Sequence, residues 1–286
     1  MVQQRAQQRH NLIGVFDSGV GGLSVLRAIR QFIPGADLLY LADQAHVPYG
    51  TRSKSQIQAF SIAITDFLLS QGAGLIVVAC NTASAAALHD LRSKFPDVPF
   101  VGMEPAVKPA AEMTHTGTVG VLATPTTFEG GMYASLVERF ARDVRLLHST
   151  CPGLVEQIED GDLDTQRTRE ILEDALEPIL SAGADTIVMG CTHYPFVIPS
   201  IEAISGPGVR VIDPAPAVAR QTQRLILEYE LENPATSQGQ VQLMTSGSPA
   251  KLVELHPYLL GEKVPVAGIT WMTDPESGQP ILTHPE

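Results

Sequence analysis

Cysteine is scarce in this chain: Cys80, Cys151 and Cys191 are the only three in 286 residues. Three thiols do not build a disulfide scaffold, and no Cys-x-x-Cys pair or His/Asp/Glu cluster has the spacing of a metal site. Free thiols in a reducing cytoplasm are expected. Basic residues are also few, 19 against 31 acidic, for a formal net charge of −12 with no Lys/Arg cluster. Long-range attraction to nucleic acid or to an anionic membrane is therefore not encoded. Backbone N–H groups at helix starts still bind a carboxylate locally. Long apolar runs are missing as well. Hydrophobic residues make up 44% of the chain, yet no run approaches the roughly 18–20 residues of a membrane span. Residues 1–10 are polar, without the apolar centre of a signal peptide, and read as a loose tail.

What is present is an alternation. Short apolar runs at 11–16, 37–42, 75–79 and 100–103 read as strands, and the stretches 23–32, 53–70 and 84–95 between them carry helical spacing. The pattern restarts with strands at 118–122, 145–149, 186–189 and 209–212, a turn at 124–127 and helices at 131–140, 165–181 and 194–204. Then come a helix at 217–229, a polar loop at 232–240, a strand at 241–244, a helix at 249–260 and a strand at 264–271. Strands alternating with helices predict an α/β fold of mostly parallel sheets covered on both faces.

An internal repeat divides the pattern. Ile76-Val77-Val78-Ala79-Cys80-Asn81-Thr82 is echoed by Ile187-Val188-Met189-Gly190-Cys191-Thr192-His193, 111 positions on (80 to 191). Each copy leads through a helix and a strand to an acidic-Pro-Ala motif, Glu104-Pro105-Ala106 and Asp213-Pro214-Ala215. Two copies of roughly a hundred residues predict two pseudo-symmetric α/β domains rather than a solenoid. The expected division is 11–104 plus 214–273 for a discontinuous first domain and 105–213 for the second. Residues 1–10 and 274–286 are expected to be flexible tails.

In parallel α/β sheets, ligands bind at the carboxyl ends of strands. Cys80 and Cys191 both stand there, each followed by an expected helix whose positive end favours thiolate over thiol. Asn81 and Thr82, and Thr192 and His193, add polar groups beside the sulfurs; His193 can exchange a proton with Cys191 or with a substrate. Asp17, ending the first strand, offers a related role beside Cys80. Two acid–base groups on opposite faces suit inversion of a stereocentre: one removes a proton, the other returns it to the far side. The bland readings stand beside this one. A cysteine after a strand is often only a small buried hydrophobe, and Cys151-Pro152 reads as structural. Asp17-Ser18-Gly19-Val20-Gly21-Gly22 is equally a phosphate-cradling loop or a tight turn, and Val47-Pro48-Tyr49-Gly50 could be only a turn. No partner is evident for His115 or His148.

Taken in order, Asp17-Ser18-Gly19-Val20-Gly21-Gly22, Val47-Pro48-Tyr49-Gly50, Cys80-Asn81-Thr82-Ala83-Ser84-Ala85, Glu104-Pro105-Ala106-Val107-Lys108-Pro109 and Gly190-Cys191-Thr192-His193-Tyr194-Pro195 resemble the motifs of the glutamate racemases, in the cofactor-independent aspartate/glutamate racemase superfamily. The resemblance covers about residues 12 to 225. It implies interconversion of L- and D-glutamate without cofactor or metal, in a cleft between the two domains, and supply of D-glutamate for peptidoglycan in a bacterial cytoplasm. It implies that Cys80 acts on the D enantiomer and Cys191 on the L enantiomer, assisted by Asp17 and His193. Ser18, Pro48, Tyr49, Gly50, Asn81, Thr82, Thr124, Thr127, Glu159 and Thr192 match positions that hold or line the substrate. Two stretches depart from the usual pattern: Ala123-Thr124-Pro125-Thr126-Thr127 stands for Gly-Thr-x-Gly-Thr, and Cys151-Pro152-Gly153-Leu154-Val155 for Cys-Pro-Leu-Phe-Val. Homodimers are common in this family. The rival readings are a racemase for aspartate or another small acid, a non-catalytic binding protein with this fold, and a hydrolase using a single cysteine. The last gives no reason for the second thiol.

Overall fold

The computed structural model describes residues 11–231 and 238–285. The expected tail 1–10 and most of the polar loop at 232–240 lie outside them. Two parallel sheets form the frame. The larger runs, edge to edge, Val266–Gly268 (β10), Val241–Thr245 (β9), Asp37–Ala42 (β2), Leu12–Asp17 (β1), Ala73–Val78 (β3) and Phe100–Gly102 (β4). The smaller runs Arg145–Ser149 (β6), Thr118–Ala123 (β5), Thr186–Gly190 (β7) and Arg210–Ile212 (β8). The larger sheet thus draws its strands from both ends of the chain and the smaller from the middle. Its inner strands, β1 to β3, are apolar and almost wholly buried, as expected where helices cover both faces.

Ten of the eleven α-helices among the described residues are ordinary connectors: Leu23–Phe32 (α1), Lys54–Ser70 (α2), Asn81–Lys94 (α3), Val107–Met113 (α4), Pro125–Glu129 (α5), Gly131–Phe140 (α6), Gln166–Ser181 (α8), Ile198–Ser205 (α9), Ala215–Glu228 (α10) and Pro249–Leu260 (α11). The other, Leu154–Asp160 (α7), is seven residues long between two left-handed glycines, Gly153 (φ 87) and Gly161 (φ 84). Sequence spacing misses α4 and α7 because each is too short for a helical period to show. The expected turn at 124–127 is the start of α5, with Pro125 in its first turn, where its missing N–H costs nothing. The expected helix 194–204 is a 3-10 turn, Tyr194–Val197, followed by α9; Pro195 and Pro199 each lack the N–H that would join them into one. Among the described residues no helix is long and apolar enough to cross a membrane.

The C-terminal end departs from expectation. The run 264–271 is not one strand: β10 stops at Gly268, and Thr270–Thr273 (β11) leaves the sheet to pair antiparallel with Pro280–Thr283 (β12). Residues 274–283, expected as a flexible tail, are therefore the turn and second strand of a hairpin. Leu282 is buried in the same apolar cluster as Phe67 and Ile64 of α2. A lone two-stranded hairpin is marginal in water, and this contact supplies the missing apolar face.

Strand register sets the site. Phe16 pairs with Val78, so Asp17 and Cys80 emerge side by side where the chain order of the larger sheet reverses, between β1 and β3. In the smaller sheet Ala123 pairs with Gly190, which brings Thr124 beside Cys191 at the matching reversal between β5 and β7. Such reversals open the crevices in which α/β folds bind ligands. Here two of them meet.

Candidate active site

Cys80 is the N-cap of α3, in extended conformation, and its sulfur accepts the Ala83 N–H at 3.4 Å. The expected helix behind Cys191 is absent at that point; a turn of three residues separates its strand from the 3-10 helix. What stands beside Cys191 is His193, whose Nδ1 lies 3.8 Å from the sulfur. The two thiols therefore have different electrostatic neighbours.

Both sulfurs line one cavity, with Ser18, Pro48, Gly50, Asn81, Thr82, Thr124, Val155, Thr192 and His193. The cavity is narrow, with a volume of about 10 Å³. That is room for roughly one water. Asn81 is 3% exposed, and both its amide nitrogen and its amide oxygen lack a hydrogen-bond partner. A buried amide without partners costs on the order of 1–3 kcal/mol. At the wall of a cavity it is a group awaiting a ligand.

Four of the expected site residues lie behind this wall rather than on it. Asp17 is fully buried beneath Cys80. Its Oδ2 accepts the Gly22 N–H at 2.7 Å, the Ser18 hydroxyl donates to Oδ1 at 3.4 Å, and the Thr192 hydroxyl reaches it from the other lobe at 3.4 Å. Thr127 donates to or accepts from Thr124 at 3.0 Å, and Thr124 in turn meets Thr82 at 2.9 Å, so a chain of hydroxyls joins the two lobes. The Tyr49 side chain is turned away from the cavity, its hydroxyl donating to Oδ2 of Asp43 at 2.7 Å. Glu159, expected at the substrate, has its carboxylate filled by the protein. Oε1 takes the Val20 N–H at 2.6 Å and lies 2.7 Å from Nε2 of His193, and Oε2 takes the Gln44 amide at 2.8 Å.

This resolves the glycine loop after β1. Its backbone N–H groups do cradle anions, but the anions are the carboxylates of Asp17 and Glu159. A Cβ on Gly19 would fall 1.8 Å from Oε1 of Glu159, and one on Gly21 2.4 Å from Nδ1 of His193. The glycines are there because the other lobe's acid–base pair comes this close.

The charges follow. Burial pushes the Cys80 thiol well above its ordinary value, the neighbouring Asp17 carboxylate adds to the rise, and the Ala83 N–H only partly offsets them. The positive end of α3 thus does not win against desolvation, contrary to the sequence expectation of a favoured thiolate. Burial also raises Asp17, against the pull of His193. For His193, burial alone would lower the value, but the hydrogen bonds to Cys191 and Glu159 together outweigh it and hold the imidazole well above 6.5. Glu159 shows the converse: burial would raise it, and the hydrogen bond and charge of His193, with Gln44 and Val20, bring it below 4.5. The cavity therefore has a protonated thiol on one side. On the other it has an imidazolium–carboxylate pair behind a second thiol.

A carboxylate–imidazole–thiol relay facing a second buried thiol across one narrow cavity can act as an acid–base site with two poles. Comparison with known proteins shows the family. The Asp/Glu/Hydantoin racemase family model matches residues 13–222.

The chain belongs to the Asp/Glu/Hydantoin racemase family.

It is an amino-acid racemase, an isomerase. Among its relatives, the glutamate racemase of Roseiflexus sp. (strain RS-1) is 50% identical over 244 residues, which cover 85% of this chain and 90% of that protein. Solved glutamate racemases share the fold. The RacE1 isoform of Bacillus anthracis superposes with a TM-score of 0.81 at 29% identity over 91% of this chain and 97% of its own. The Francisella tularensis enzyme, solved in complex with D-glutamate, gives 0.78 at 29% identity over 91% and 96%. In this racemase, three groups that sequence reasoning missed support the site: Gln44 and the Val20 N–H behind Glu159, and Val155 on the cavity wall. Gln44 lies just past the carboxyl end of β2, a position that could have flagged it; Val155 sits on the short helix that left no signal. His148, left without a partner, meets the Tyr133 hydroxyl at 2.7 Å, away from the site. Cys151 is buried away from the cavity lining, its thiol pushed up by burial to about 12.

Proposed function

We propose that this racemase interconverts L- and D-glutamate by passing the Cα proton between Cys191 and Cys80, and that it does so without a bound cofactor. The observation that carries the reading is the presence of two buried thiols on one cavity, one from each lobe, each with its own proton partner. Relatives about 50% identical are glutamate racemases, and a neighbour in fold is solved with D-glutamate.

In the L-to-D direction, the Cys191 thiolate, facing the His193 imidazolium, takes the α-proton; an S–H bond forms as the C–H bond breaks, and the electron pair stays on Cα. The Cys80 thiol then gives its proton to the opposite face and is left as a thiolate beside Asp17. The reverse reaction exchanges the roles. Cys80 is suited to begin as the acid because burial keeps its proton on. The α-carbanion is stabilised through the substrate carboxylate, for which Asn81, Thr82, Ser18 and Thr192 offer donors. Excluding water strengthens each of these contacts. A cavity with space for one water holds no glutamate, so the walls separate to admit it and close around it. The product suits supply of D-glutamate to peptidoglycan synthesis in a bacterial cytoplasm.

The test is incubation with L-glutamate in deuterated water. Loss of optical rotation with deuterium appearing at Cα supports the reading; retention of both rotation and protium ends it.

A further inference from the structure

Asp43 stands directly after β2, wholly buried, and is not among the residues lining the cavity. Its carboxylate nevertheless gathers donors from three separate stretches of chain. The Tyr49 hydroxyl donates to Oδ2 at 2.7 Å, and Nδ1 of His46 lies 2.9 Å from the same oxygen. The Ser246 hydroxyl donates to Oδ1 at 2.7 Å, and the Trp271 indole N–H donates to Oδ1 at 2.6 Å. The His46 ring stacks on Phe60 of α2 at 3.9 Å between centroids and meets Trp271 edge-on at 5.0 Å. A buried carboxylate is tolerated only when hydrogen-bonded, and these donors supply the hydrogen bonds. Removing one donor leaves the others in place.

Tyr49 lies between Pro48 and Gly50, the two residues through which this loop forms part of the cavity wall. The same loop is tied at its far end, where the Thr126 hydroxyl donates to the Gly50 carbonyl at 3.0 Å. Trp271 belongs to β11, in the C-terminal hairpin, and Ser246 follows β9. The hairpin therefore reaches the wall through the Asp43 carboxylate, with the His46 and Phe60 rings packed beside it.

We infer that Asp43 is a positioning residue that sets the Pro48–Gly50 wall against the substrate, with Trp271 and Ser246 anchoring it from the C-terminal part of the chain. The inference rests on the cavity being the glutamate site proposed above. Since that cavity must open for entry and close again, the wall needs a defined position to return to, and the hydrogen bonds to Asp43 define it.

The test uses Trp271→Phe and Ser246→Ala, which each remove one donor far from the thiols, together with Asp43→Asn. KM for glutamate is expected to rise about tenfold in the two single-donor variants, with kcat within about twofold of the wild type, the pattern of lost uniform binding. A purely structural role would instead reduce the amount of active enzyme, lowering kcat and leaving KM unmoved. Trp271 is the only tryptophan in the chain, so its emission reports the hub directly. Saturating D-glutamate is expected to shift that emission in the wild type and not in Asp43→Asn. Unmoved KM values in both single-donor variants, or a wild-type emission indifferent to D-glutamate, would overturn the inference. A wild type that does not racemise glutamate would instead defeat the reading beneath it.

Discussion

Nε2 of His193 lies 2.7 Å from Oε1 of Glu159, and both side chains are buried. Glu159 comes from the short helix α7 and His193 from the turn after β7, and the glycine loop of the other lobe packs against both. The contact turns a thiol–imidazole pair into a three-membered relay, in which the carboxylate fixes the ring and favours its protonated form.

Glu159→Gln keeps the size of that side chain and removes its charge. His193 then loses one of the contacts that hold it above its ordinary value, so its titration moves to lower pH. The rate should fall roughly 100-fold, equally in kcat/KM for both enantiomers, because their equilibrium constant is unity. Circular dichroism progress curves from L- and D-glutamate across a range of pH check this. A profile superimposable on the wild type would count against the relay.

Cys80→Ser and Cys191→Ser should each abolish racemisation but fail in different directions. Cys191→Ser retains the base for the D face, and Cys80→Ser the base for the L face. Cα exchange with deuterated water, followed by proton NMR on each enantiomer separately, should show residual exchange of opposite preference in the two variants. Full racemisation by either variant is the outcome that would refute two thiols.

Asn81→Ala separates binding from stability. The amide has no hydrogen-bond partner in the protein, so its removal should leave the thermal midpoint unchanged or higher, whereas KM for glutamate should rise by roughly tenfold. Calorimetry and initial rates give the two numbers. A large drop in midpoint would mean that the amide has a structural role.

Stability should depend on pH through the same groups. Glu159 has a depressed folded value, so its contribution is present above its unfolded value near 4.5 and is lost as pH falls through the folded one. His193 has a raised folded value, so its contribution is complete below about 6.5 and is lost as pH rises through the folded one. Cys80 acts against folding at high pH: above the ordinary thiol value of about 9.0 the unfolded chain releases a proton that the folded state retains. Cys80→Ala should therefore flatten the alkaline fall of the thermal midpoint. An equally steep fall in that variant would contradict the burial argument.

A co-crystal with D-glutamate should place the two sulfurs roughly 6–9 Å apart with Cα between them, since each sulfur–carbon contact is near 3.5–4 Å. A separation that leaves Cα out of reach of one sulfur would remove that thiol from the mechanism.

Much of this was settled by the sequence itself. Apolar runs ending in Cys80 and Cys191 declared two parallel sheets and the strand ends where chemistry would sit, because buried strands and their carboxyl-end turns are local patterns. The repeat placed the thiols in equivalent positions, and the motifs around them carried the family. Only the tertiary structure decided what each residue does there. Glu159 is distant in sequence from both His193 and Val20, and no local pattern encodes its position behind the imidazole. The glycines of the loop after Asp17 could equally have served a phosphate until the packed lobes showed which carboxylates they approach. The positive end of α3 argued for a thiolate at Cys80, and burial beside Asp17 reversed it, since desolvation depends on what folds over a group and not on its neighbours in the chain. The hairpin at 270–283 was invisible for the same reason: its apolar face exists only against α2.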